Sequence, residues 1–438
     1  MTRLFVFLCG LLLVAAAALY FLSARTVVAI DPSVRVIGID TPVKARVAAP
    51  HGVRSVRAFL EQNDKRYLVF EQLWPSTRVF FFGRGAAPLE VSFSAGKKQA
   101  PELHSGQARL VVFAVSNDFR AAQDAAQASL MVVLAPPSVT ADGEQHYINQ
   151  GGSELVTFSV SGYWSEAGVR CGPHTFRSFP LPGSDPSGGR RFSLFAFPWD
   201  LPAGTACVVY ARNPAGNEAT ARFRQKIFPK KFRTRDFDIA DSFLEKVVPD
   251  IDPDASGDLL ARFLRINGDL RRQNNQALSD LRAKTEEKFL WSGPFLQLGS
   301  SKVESLFADT RNYIYKGKRI DRQTHLGFDL SVTKNIPVAA GNSGKVILAG
   351  RLGIYGNCIV IDHGYGLQSI YAHLSEIGVK PGDTIQKSQV IGKSGSTGLA
   401  GGDHLHFGMQ IDGVQVSPVE WWDEHWISDH ILSKVPVK

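Results

Sequence analysis

Hydrophobic and polar positions divide the chain into four textures. Residues 4–22, "LFVFLCGLLLVAAAALYFL", carry no charge. Nineteen helical residues at 1.5 Å each reach about 28 Å, close to the hydrocarbon core of a bilayer. From about 27 to 225 apolar and polar residues alternate in short runs, broken by Gly, Pro and Asn. "RLVVFAVS" (109–116), "SLMVVLAPP" (129–137), "LVTFSVSG" (155–162), "RFSLFAFPW" (191–199) and "ACVVYARN" (206–213) have the composition and period of strands. With Pro136–Pro137 as a boundary, the pattern predicts two β-sandwich modules, 27–137 and 138–226. The turn cluster "ARNPAGNEA" resembles the closing hairpin of immunoglobulin-like modules.

After "FPKKFRTRDF" the apolar period changes to three and four. Residues 236–290 are expected to form a helical connector, with Leu259, Leu260, Phe263, Leu264 and Leu270 as one apolar stripe. Ser256 stands where a cap is wanted. Such a connector either packs on a neighbour or covers the domain that follows. From 291 to 422 alternation returns with many glycines, in "IPVAA", "GKVILAG", "CIVIDHG", "LQSIYAHL", "DTIQ", "QVIGKSG" and "HLHFGMQI". These predict a compact antiparallel β-domain. "RNYIYKGKRID" (311–321) reads as a hairpin turning at Lys316–Gly317. The tail 423–438 is expected to be a helix or an arm, with Trp421, Trp422 and Trp426 packed onto the domain. The expected fold class is therefore mainly β: an N-terminal membrane anchor (1–26), two immunoglobulin-like sandwiches, a helical connector and a C-terminal antiparallel β-domain.

Composition changes this picture little. Of 438 residues, 44% are hydrophobic and 21% charged, which suits several globular domains and excludes a disordered chain. The net charge of +8 favours anionic wall polymers or lipid headgroups. No zinc finger, helix-turn-helix or RNA-binding signature occurs, so nucleic acid is excluded as a partner. Arg3 and Arg25 flank the apolar run and give only a weak orientation signal. A cleaved signal peptide is the rival to an anchor; both export the remainder. Export permits disulfides, which makes Cys171 and Cys207 a candidate pair. Cys358 in "GNCIVI" reads as a small buried thiol.

The histidines carry the chemistry. Residues i and i+2 of a strand share a face, so "HLHF" puts His404 and His406 on one side and Leu405 on the other. In "THLGFDLSV" His325 and Asp329 are four apart. A straight strand would separate them by about 13 Å, but Gly327 permits a bend. With one histidine of the HxH pair they give a His₂Asp set that leaves a fourth tetrahedral position open, as catalytic zinc sites require. His373, in "IYAHLSEI", and the other member of the pair are then free for proton transfer or oxyanion stabilisation. No HExxH occurs, so a glutamate-based zincin arrangement is excluded. His363 in "IDHGYG" reads as a turn support, and His51, His104, His146, His174, His425 and His430 as structural.

"HLGFD", "GNCIVIDHGYGLQSIYAHLS", "VKPGDTI", "QVIGKSGSTG" and "DHLHF" follow one another as in the LytM/lysostaphin-type zinc metallopeptidases, which residues 292–422 resemble. The resemblance implies one zinc held by His325, Asp329 and His406, with His373 and His404 as the catalytic histidines. It implies a small antiparallel β-domain with an open groove, and hydrolysis of the peptide part of peptidoglycan, in stem peptides or cross-links. The departures are Asp403, where many relatives carry proline, and Gly408, where many carry glutamate. An envelope location follows, anchored at the inner membrane with the catalytic domain outside the cytoplasm. The sandwiches would serve as spacers or docks for other envelope proteins. The rival functions are a non-catalytic LytM-like activator of a wall amidase and an envelope adhesin.

Overall fold

The computed structural model describes residues 2–77, 80–81, 85–253 and 256–435. The apolar N-terminal run forms helix α1 (Thr2–Leu22). Its stretch Leu4–Leu22 has a mean hydropathy of 2.6 and none of it is buried. Length and composition suit a membrane span or a signal sequence equally.

The remaining chain folds into two compact units. The first comprises 1–138 with 162–166 and 211–219. It holds a three-stranded sheet (Val27–Ile30, Thr41–Ala48, Leu89–Ala95) and a five-stranded sheet in the order Val36–Ile37, Gln123–Val132, Gly106–Ser116, Val53–Gln62, Lys65–Leu73. Period-2 burial is clear in Thr41–Ala48, where Val43, Ala45 and Val47 enter a core shared with Val56, Ala58, Leu60 and Leu110. The tight turn at Asn63–Asp64 has both residues at positive φ, the twist that two-residue hairpins require.

The second unit comprises 139–161, 167–210 and 220–438. It opens with antiparallel sheets that contain Ser153–Ser161 paired with Arg190–Ala196, and Gly168–Cys171 paired with His174–Arg177. Cys171 and Cys207 are bridged. Closing 36 residues of separation contributes on the order of 4 kcal/mol by the chain-entropy argument.

The segment read as wholly helical starts otherwise. Residues Thr234–Ile239 form strand β1, because Phe237 and Ile239 alternate with Asp236 and Asp238. Helices α2 (Asp241–Ile251), α3 (Leu259–Arg265) and α4 (Arg271–Asp280) follow, with a π-turn at Ile266–Leu270. Asp258, not Ser256, caps α3: its carboxylate accepts from the Ala261 amide. Leu264 lies outside the buried stripe and is 36% exposed, whereas Phe263, Ile266, Leu278 and Leu281 are buried. The extra residue of the π-turn rotates the buried face, which a 3.6 period cannot anticipate.

The rest of the unit is sheet. Strands β2 (Asp309–Tyr315) and β3 (Lys318–His325) form the hairpin, with Lys316 and Gly317 at positive φ, and β1 joins β2 in parallel. A larger antiparallel sheet runs Lys302–Ser305, β4 (Phe328–Ser331), β8 (His404–Ile411), β7 (Leu367–Leu374), β6 (Asn357–Gly364), β5 (Gly344–Arg351), Thr384–Ile385. Its helix-facing residues Cys358, Val360, Ile370 and Ala372 share one core with Leu244, Val247, Phe263 and Leu278. Cys358 is fully buried, and burial pushes its thiol up. The tail is helical; Trp421 packs on Trp291 and Phe295, and Trp422 on Phe328 and Phe407.

Candidate metal centre

Strand register assembles the site. In the β4–β8 pairing Asp329 stands opposite His406 and Ser331 opposite His404. In the β7–β8 pairing His406 stands opposite Ala372, which brings His373 alongside. His325 ends β3, and Leu326–Gly327 turn the chain directly into β4. Gly327 is required by close approach, not by φ. A Cβ there would lie 2.5 Å from the His406 ring and 2.9 Å from the Phe407 carbonyl oxygen. His373 sits at φ 62°, a left-handed conformation costly for a residue with a Cβ.

The five side chains singled out from the sequence meet. His325 Nε2 lies 2.9 Å from Asp329 Oδ1 and 3.0 Å from His406 Nδ1, and His406 Nδ1 lies 3.1 Å from the same Oδ1. His404 Nε2 is 3.5 Å from Asp329 Oδ1. The rings of His373 and His404 are 4.8 Å apart. Four of the five residues are under a tenth exposed; only His404 is more open.

Hydrogen bonds to carbonyls fix three tautomers, since a carbonyl only accepts. His325 donates Nδ1–H to Leu306 O at 3.0 Å, His373 to Thr397 O at 2.9 Å, and His404 to Gly402 O at 2.9 Å. Each Nε2 is thereby left with a lone pair in the neutral ring. Burial, reinforced by the Arg311 charge, holds His325 down to about 4, so that ring is neutral. Burial opposes ionisation of Asp329, but the Arg311 charge overcomes it and keeps the carboxyl well below the usual range. Burial likewise pushes His373 and His406 down.

The donor set fits a divalent cation. Two acceptors, His325 Nε2 and Asp329 Oδ1, face each other at 2.9 Å. Three candidate ligand atoms form a triangle whose edges are all close to 3 Å, which accepts an ion about 2 Å from each corner and leaves one side open. His325, Asp329 and His406 are all buried, and each offers one ligand atom within 4.8 Å of the other two.

Three neighbours were not legible as site residues. Arg311 of β2 donates to Asp329 Oδ2 and lies 5.1 Å from the Phe237 ring of β1. Arg271 and Asn275 of α4 line a small cavity of ≈30 Å³ shared with His325, His373 and His406. A second cavity of ≈390 Å³ reaches Asp329 and His404 between Phe237, Phe243 and Tyr313. The hairpin therefore walls the site. His363 does not reach it: that ring is fully buried, donating Nδ1–H to Ser343 O at 2.7 Å, with Ser369 Oγ at 2.7 Å from Nε2. Asp403 accepts from the Asn335 amide at 3.1 Å and lines the larger cavity, beside the ligands.

The model of the family described as Peptidase family M23 matches residues 323–418, the span that carries all five side chains. Residues 323–418 are a peptidase family M23 domain. Over 95 residues the chain is 40% identical to the DD-carboxypeptidase/endopeptidase Mpg of Neisseria meningitidis serogroup B, covering 22% of each chain. Over 96 residues it is 35% identical to the peptidoglycan DD-endopeptidase ShyA of Vibrio cholerae, again 22% of each. The chain thus spans about a fifth of the length of these curated relatives. A solved putative M23 peptidase from Pseudomonas aeruginosa is similar over 61% of this chain and 92% of its own, at 21% identity and a TM-score of 0.37. M23 peptidases are generally metallopeptidases, and this M23 domain contains a His–Asp–His cluster that could hold a metal ion.

Proposed function

We propose that the chain is a zinc-dependent metalloendopeptidase that hydrolyses peptide bonds in peptidoglycan stem peptides or cross-links. The observation that carries this is the triangle of His325 Nε2, Asp329 Oδ1 and His406 Nδ1, with the rings of His373 and His404 beside it. Zinc suits two imidazoles and one carboxylate with an open position. When bound, it supplies Lewis acidity toward a peptide carbonyl. His373 and His404 both tie up Nδ1–H on backbone carbonyls, so each aims Nε2 inward. One Nε2 accepts the proton of the attacking water and the other, once protonated, donates to the developing oxyanion.

The same reading places the chain in the cell envelope, held at the inner membrane by α1 with the M23 domain outside the cytoplasm. The domains proposed are 1–26, 27–137, 138–226, 236–290, 291–422 and 423–438, the two sandwiches acting as spacers or docks. The experiment is zinc analysis and turbidity loss of isolated sacculi, with full-length protein in detergent. About one zinc per chain and cleavage are expected, both abolished by His406→Ala. Metal-free, inert protein that instead stimulates a wall amidase would replace this reading with that of a non-catalytic activator.

A further inference from the structure

The connector helix α4 brings a charged group to the metal-centre cavity that the proton-transfer scheme does not use. The Arg271 Nε donates to Asn267 O at 3.1 Å and an Nη to Asn267 Oδ1 at 2.6 Å, one helical turn back. Both contacts are neutral. Among the described residues no carboxylate oxygen lies within 4.0 Å of its nitrogens. The other guanidinium at this cavity, Arg311, is already neutralised by Asp329. Arg271 therefore contributes an uncompensated positive charge to a half-buried wall that it shares with His325, His373 and His406. A guanidinium held away from water without an anion is costly, and a planar fork of N–H donors matches a carboxylate.

Size narrows the ligand. A cavity of ≈30 Å³ has room for about two water-sized groups, the bulk of a carboxylate. Ile354, Tyr355, Leu399 and Asn275 wall it, with the Tyr355 hydroxyl 2.9 Å from Asn275 Oδ1. A cavity of that volume has no room for a further peptide unit. The ≈390 Å³ cavity bordered by Asp329 and His404 offers the space and the apolar walls for the acyl part.

We propose, on the basis of the zinc-peptidase reading, that Arg271 anchors a free substrate carboxylate. The scissile amide nitrogen would then sit on a carbon that bears that carboxylate. A C-terminal amino acid has this chemistry, and so does a cross-link through a side-chain amine whose own carboxylate is free. Bonds inside a glycyl bridge, where each carboxyl is tied up as an amide, lack it and are disfavoured.

The test uses zinc-loaded full-length protein and a synthetic stem pentapeptide ending in D-alanyl-D-alanine, as free acid and as C-terminal amide. For the unaltered protein kcat/KM for the acid should exceed that for the amide by about 100-fold, the scale of a charge-assisted bidentate contact. In Arg271→Ala the ratio should fall to within about threefold of one, and Arg271→Lys should restore part of it. The ratio does not depend on the folded fraction of a variant. Cleavage of sacculi with equal rates on acid and amide, or a ratio that survives in Arg271→Ala, would overturn the anchoring role alone. No cleavage of peptides or sacculi by zinc-loaded protein would overturn the peptidase reading and this inference with it.

Discussion

His325 Nε2 and Asp329 Oδ1 stand 2.9 Å apart with no proton to share, because His325 has given its N–H to the Leu306 carbonyl. Two lone pairs at that distance repel unless a cation lies between them. The site is thus built at a cost to the metal-free fold. Asp329→Asn replaces one acceptor by a group that can present N–H to His325. Zinc affinity should fall by more than about 100-fold, since a neutral amide replaces an anionic ligand. The variant also strands the largely buried Arg311 charge that pairs with the other carboxylate oxygen, so it should melt below the unaltered protein even in chelator, and zinc should raise the melting temperature of the unaltered protein only. Thermal melts with zinc and with chelator check both; an equal zinc-induced rise in the variant would show that Asp329 is not a ligand.

Arg311 holds the other carboxylate oxygen of Asp329. Groups that orient a metal ligand from behind typically change affinity 10- to 100-fold when removed. Arg311→Met should weaken zinc binding by about that factor while preserving the apolar contact with Phe237. Competition titration with a zinc-binding dye measures it, and Arg311→Lys should retain an intermediate affinity.

The two arginines show where sequence reading stops. His404 and His406 were legible because a period of two puts them on one face, and the β4–β8 register then needed only the hydrophobic alternation of Leu330 and Leu405. Arg311 was not, although it lies in the hairpin read from the sequence. A regular two-residue turn at Lys316–Gly317 would pair Tyr313 with Ile320. A bulge between Tyr313 and Ile314 shifts the pairing to Asp321, so that Arg311 faces Gln323 beside His325. One extra residue exchanges the faces of a strand, and its position is set by tertiary packing. Arg271 escaped for a similar reason: the π-turn before it rotates α4, and no helical wheel drawn through 259–280 would aim it at the histidines.

Gly327 separates packing from backbone freedom. Its added methyl would overlap the His406 ring at 2.5 Å. Gly327→Ala should displace a ligand and lower both zinc content and sacculus cleavage by at least about tenfold. Gly317→Ala is the contrast: that glycine has φ 75° with open space around it. It should cost about 1 kcal/mol of stability through backbone strain and leave zinc content unchanged. Equal zinc loss in the two variants would refute the steric account.

Far from the metal centre a buried charge network ties the tail to the opening sheets of the second unit. Glu154 is fully buried, with Lys434 Nζ at 2.7 Å and His430 Nδ1 at 2.7 Å; Lys434 Nζ also reaches Leu155 O at 2.9 Å. Burial alone would raise the Glu154 carboxyl, but His146, His430 and Lys434 outweigh it and hold it at about 2, against 4.5 when free. A depressed acid stabilises the fold above its unfolded value and loses that contribution as pH falls toward the folded value. Acid unfolding should therefore be steep between about pH 4.5 and 2. Lys434→Met removes the counter-charge and should cost about 3 kcal/mol at pH 7, because a buried carboxylate is left behind. That cost should shrink at pH 3.5, where the stranded group takes up a proton, and Glu154→Gln in the same chain should recover most of it. Urea melts at the two pH values measure this, and a loss independent of pH would rule the network out as its cause. The same contact means that a fragment beginning at 292 keeps Lys434 and His430 but loses Glu154, and such a fragment should be less stable than the whole chain.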